Sequence, residues 1–77
     1  MDDRKAAEIA RILTEAGVVD SGSRIPTTWG WSETEEALGK AVGGQPTTTQ
    51  EWEAWEILCR LASLASTDQL RQAGVEV

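Results

Sequence analysis

The sequence predicts an all-α fold, a small bundle of three main helices at about residues 4–16, 33–42 and 49–65, with a short C-terminal helix at about 67–73. Three observations predict it. Apolar residues recur at helical spacing in the first and third segments. Ser or Thr followed three residues later by Glu or Gln, the pattern of an N-terminal cap, precedes several segments. Glycines stand where the helical patterns stop, as they commonly do at helix ends.

The first helix is indicated by an apolar stripe and a charged stripe along one segment. Apolar residues at helical spacing are Ala6, Ile9, Ala10 and Leu13, and the residues that alternate in sign on the other side are Arg4, Glu8, Arg11 and Glu15. Gly17 is expected to end the helix, with Val18 folding back as the apolar contact of a Schellman motif. The sequence Leu-x-x-Ala-Gly-Val recurs at 70–75, so we expect the last helix to end in the same way.

The second helix is expected to start at Ser32, which forms a capping box with Glu35. Gly39 within it costs about 1 kcal/mol relative to Ala, so this helix depends on tertiary packing. Before it, residues 20–31 show no regular period and carry turn-forming residues. A loop of this length is usually functional or held by its own side chains, here Ile25, Trp29 and Trp31.

The third helix is the most apolar segment of the chain, and Thr48 and Glu51 form its predicted capping box. Its polar residues share one narrow stripe: Glu53, Glu56, Arg60 and Ser63. Nearly everything else around the helix is apolar, with Leu58 near the middle of the apolar arc. A helix of this kind is expected to be surrounded by protein, and therefore to be central.

Length and composition narrow the class of protein. A chain of 77 residues forms a single domain. One cysteine and no histidine exclude an internal disulfide and the usual ligand sets of structural zinc. A net charge of −6 with scattered Lys and Arg argues against binding to nucleic acid or anionic membrane. The lone cysteine and the absence of a secretory signal or long apolar run lead us to expect a cytoplasmic protein without a membrane span.

No catalytic, metal-binding or cofactor-binding site is predicted, so we expect the protein not to be an enzyme. Without histidine the commonest general base is missing. Cys59 lies among apolar residues of the third helix and is interpreted as a small buried hydrophobe. The acidic groups near residues 33–36 and 51–56 fall in first helical turns, where the helix dipole favours them.

The four tryptophans are the most informative feature of the composition, and they allow two interpretations. They could form the core with Leu58 and Leu38, or some could stay exposed as interface anchors, since Trp is enriched in binding hot spots. We favour the core for Trp55, and both interpretations stay open for Trp29 and Trp52. The candidate interface residues are Trp29, Trp31, Trp52, Ile57, Cys59 and Leu64.

The function that we expect first is a non-enzymatic protein–protein interaction module, self-associating as a homodimer or higher oligomer through apolar helix surface. Two short amphipathic helices and a loop give too little cover for the third helix, and a symmetric copy is the commonest source of more. The first alternative is a small acidic inhibitor, of phage or mobile-element type, that occupies a basic surface of a nucleic-acid-handling protein. A regulatory DNA-binding domain ranks third, because its candidate recognition helices are acidic.

Overall fold

The computed structural model describes residues 1–18 and 32–77. Four helices span this part of the chain: α1 (Asp3–Glu15), α2 (Ser32–Ala41), α3 (Thr49–Leu64) and α4 (Thr67–Gln72). Each helix boundary lies within one residue of its predicted position, and no strand occurs in the described residues. The predicted all-α bundle is therefore confirmed.

Helices α1 and α3 pack against each other and run in the same direction. At one end, the Met1 nitrogen lies 3.5 Å from the carboxylate of Glu51, in the first turn of α3. At the other end, the Gln69 amide at the start of α4 donates a hydrogen bond of 3.4 Å to the carbonyl oxygen of Ala16. Because α4 follows α3 directly, this contact places the C-terminal ends of α1 and α3 together.

The core contains side chains from every helix. Ile9, Leu13, Leu38 and Leu58 are fully buried. Trp55 is also buried, which confirms the core interpretation for this tryptophan. The other core residues are Ala6, Val18, Ala37, Val42, Cys59, Leu61, Ala62, Leu70, Ala73 and Val75. Helix α3 contributes the largest share of the core, as expected from its broad apolar arc.

The two Leu-x-x-Ala-Gly-Val segments form the same helix ending. The amide of Val18 donates to the Leu13 carbonyl at 3.0 Å, and the amide of Val75 donates to the Leu70 carbonyl at 3.0 Å. The glycine before each valine has a left-handed φ, +89° and +90° respectively, which glycine adopts without a steric penalty. Both valines are buried, so each Schellman ending also closes one edge of the core.

The predicted cap of α3 is found with one adjustment. The Thr48 hydroxyl accepts from the Glu51 amide at 3.1 Å, but the Glu51 carboxylate accepts from the Thr47 amide at 3.3 Å. That carboxylate also lies near Met1, so it joins the start of α1 to the start of α3. Helix α2 begins at Ser32, where the second helix was expected to start.

Candidate functional site

Three large apolar side chains of α3 remain about half exposed. Trp52 and Ile57 are each 50% exposed and Leu64 is 43% exposed. All three were predicted interface residues, whereas Trp29 and Trp31 lie outside the described residues. An exposed large apolar side chain becomes informative when it joins a continuous apolar surface. Whether these side chains belong to such a surface depends on their positions around α3.

Ile57 and Leu64 lie on the same side of α3. They are seven residues apart, which is close to two full turns. Beside Ile57, α1 and α3 form a shallow groove of about 190 Å³, lined by Asp3, Ala6, Ala7, Ala10 and Ala54 together with Ile57. We call the surface formed by Ala7, Ala10, Ile57 and Leu64 the α1–α3 face.

Small residues on α1 are the part of this surface that the sequence reasoning missed. The sequence pattern places Ala6 and Ala10 in the buried stripe and gives Ala7 no role. In the structure Ala10 is only half-buried and Ala7 is exposed. The available signal was the spacing of Ala7 and Ala10, three residues apart and so neighbours on the helix surface. The alanines leave a recess beside the projecting side chain of Ile57.

The charged stripe of α1 borders the α1–α3 face. Arg4, Glu8, Arg11 and Glu15 are all exposed. Ala7 is three residues after Arg4 and four before Arg11, so it contacts the edge of this stripe. Both Glu15 carboxylate oxygens accept from the Arg11 guanidinium at 3.0 Å. The apolar face thus has a rim of alternating charge on its α1 side.

Trp52 belongs to a different side of α3. Five residues separate it from Ile57, which corresponds to a rotation of about 140° around the helix axis. Its exposed neighbour one turn further along is Glu56. The candidate residues of α3 therefore do not form one patch: Ile57 and Leu64 share a surface, and Trp52 stands apart beside Glu56.

Cys59 is a correction to the predicted interface set, because the structure places it in the core at 3% exposure. Burial, together with smaller contributions from the carboxylates of Glu35 and Glu56, raises the pKa of its thiol from 9.0 to about 12. The contribution of Glu35 indicates that α2 lies near this side of α3. A protonated, buried thiol is neither a contact for a partner nor a nucleophile.

Within residues 1–18 and 32–77, acidic and cysteine side chains form no group of three or more that could hold a metal ion. No helix in the same residues is long and apolar enough to cross a bilayer. Comparisons with protein-family models, with curated proteins and with solved structures find no match to this chain.

Proposed function

We propose that this protein is a non-enzymatic interaction module that self-associates through the α1–α3 face. The observation that carries the proposal is the pair of half-exposed aliphatic side chains, Ile57 and Leu64, on one side of the central helix. Neither side chain can make a strong hydrogen bond or ion pair, so each gains free energy chiefly by losing contact with water. A second copy of the chain offers both of them an apolar surface of matching size.

The shape of the face favours a symmetric partner. A two-fold interface brings the same patch of both copies together, so the patch has to be complementary to itself. Here a projecting side chain, Ile57, stands directly beside a recess lined by Ala7 and Ala10. A projection and a recess side by side on one face meet that requirement.

Two substitutions of matched exposure test the proposal. Ile57→Glu places a carboxylate in the proposed interface, where an unpaired charge is costly to bury. Trp52→Glu makes the same change at a side chain that is equally exposed, on another side of α3. Sedimentation equilibrium should show self-association weakened at least tenfold by Ile57→Glu and changed less than twofold by Trp52→Glu.

The opposite pattern would place the interface on the Trp52 side and reject the α1–α3 face. Equal weakening by both substitutions would also reject it, provided that thermal unfolding shows both variants folded. Repeating the measurement in high salt adds a second criterion. Self-association through apolar surface is expected to persist there, because salt screens charges and does not weaken apolar contacts.

Trp52 supports a second candidate function, the binding of a partner protein through a basic surface. Half of this indole is exposed, and Glu56, one turn further along α3, is exposed beside it. An exposed indole accepts the face of an arginine guanidinium, and the nearby carboxylate adds attraction. In a pull-down from lysate, a basic protein released both by high salt and by Trp52→Ala supports this candidate. Retention of that protein by Trp52→Ala contradicts it.

A further inference from the structure

The charged stripe of α1 has a charge pattern that is complementary to the same stripe running in the opposite direction. Its four members stand at positions 4, 8, 11 and 15, so the intervals of four, three and four residues are the same from either end. Their signs are positive, negative, positive and negative. Reading the stripe backwards therefore keeps every position and inverts every sign.

We infer that the second copy docks antiparallel on the α1–α3 face, with its α1 along the α1 of the first copy; this inference rests on the proposed function. In that arrangement Arg4 lies level with Glu15 of the second copy, and Glu8 lies level with Arg11. Each charge then faces one of opposite sign, at four positions along the rim. Two α1 helices in parallel register would place like charges opposite each other, which disfavours that pairing.

The apolar part of the face fits the same arrangement. The midpoint of the charged stripe lies between Ile9 and Ala10, so the two-fold axis crosses α1 there. Ile57 lines the groove beside Ala7 and Ala10, close to that level. The Ile57 side chain of each copy therefore lies near the axis, beside the alanine-lined recess of the other copy, and the charged rim sets the orientation.

Charge reversal at two rim positions tests the orientation. In the antiparallel dimer, the Glu8→Arg substitution places a positive charge opposite Arg11 of the second copy. Because the dimer is symmetric, this repulsive pair occurs twice. The dissociation constant should rise about tenfold, because exposed ion pairs are individually weak and two are reversed together. The double variant Glu8→Arg/Arg11→Glu restores opposite charges and should return the constant to within about threefold of the original.

The matched control is Glu36→Arg, which makes the same change at an exposed position of α2, where Glu36 also pairs with a lysine, Lys40, one turn away. It should leave the dissociation constant unchanged. The effect of Glu8→Arg should also disappear at 1 M salt, where the Debye length is about 3 Å. Thermal unfolding of every variant confirms that α1 stays folded.

These experiments distinguish a failure of the proposed function from a failure of the antiparallel geometry alone. If the unmodified protein is monomeric, the proposed function and the antiparallel geometry fall together. If it associates and Ile57→Glu weakens it, while Glu8→Arg has no effect or the double variant fails to restore association, only the geometry is wrong. A loss of association with Glu36→Arg as large as that with Glu8→Arg also rejects the geometry, because net charge would then explain both.

Discussion

Ile57 and Leu64 lie on the same side of α3, seven residues apart, and leave 50% and 43% of their area exposed. Leu58, which follows Ile57 directly, is fully buried. The boundary between the core and the outer surface of the bundle therefore runs along α3 between two adjacent aliphatic residues. One side of the helix holds the bundle together, and the other supplies the surface that we assign to self-association.

The core side of α3 should be sensitive to truncation. Leu58→Ala is expected to lower the free energy of unfolding by about 2–5 kcal/mol, because it leaves a cavity among fully buried neighbours. Glu53→Ala, at an exposed position of the same helix, should change it by less than about 0.5 kcal/mol. Denaturant unfolding of the two variants measures both values. Similar losses for the two would mean that the facing of α3 is misassigned.

The ending of α1 should require glycine. Gly17 has a φ of +89° and open space around its missing side chain. Gly17→Ala is therefore expected to cost about 1–2 kcal/mol through backbone strain alone. Gly39→Ala is the control, because Gly39 lies within α2 with equally open surroundings. It should stabilise the protein by about 0.5–1 kcal/mol. If both substitutions lowered the free energy of unfolding, or both raised it, the conclusion that the end of α1 requires glycine would be refuted.

Burial of Cys59 should make stability depend on pH above 9. The thiol ionises near pH 9.0 in the unfolded chain and only at about 12 in the folded protein. Between these values the unfolded state binds fewer protons than the folded state, so stability falls as pH rises. The slope reaches about 1.4 kcal/mol per pH unit. Unfolding measured from pH 7 to 11 should show this excess loss in the natural protein and not in Cys59→Ala; parallel curves would contradict it.

The sequence predicted the helices well because their signals are local. Gly17 and Thr48 mark boundaries through backbone geometry and hydrogen bonds to residues within a few positions. The side that each residue faces depends on distant segments. Trp52 and Trp55 are three residues apart in one helix, yet only the second is buried.

Cys59 and Ala7 also show that the sequence pattern of one helix does not determine which of its residues are buried. Cys59 lies near the polar edge of α3 in the sequence pattern, yet the tertiary packing buries it. Ala7 falls outside the apolar stripe of α1, and it joins the candidate surface because α3 places Ile57 beside it. Both outcomes depend on how the helices pack, which helical periodicity does not encode.

The central claim is that the protein self-associates, and its mass in solution tests this most directly. Light scattering coupled to size-exclusion chromatography at high micromolar concentration should give at least twice the 8.3 kDa of one chain. The value should be the same in low and high salt, since the α1–α3 face is mainly apolar. A mass of one chain in both conditions would contradict the account.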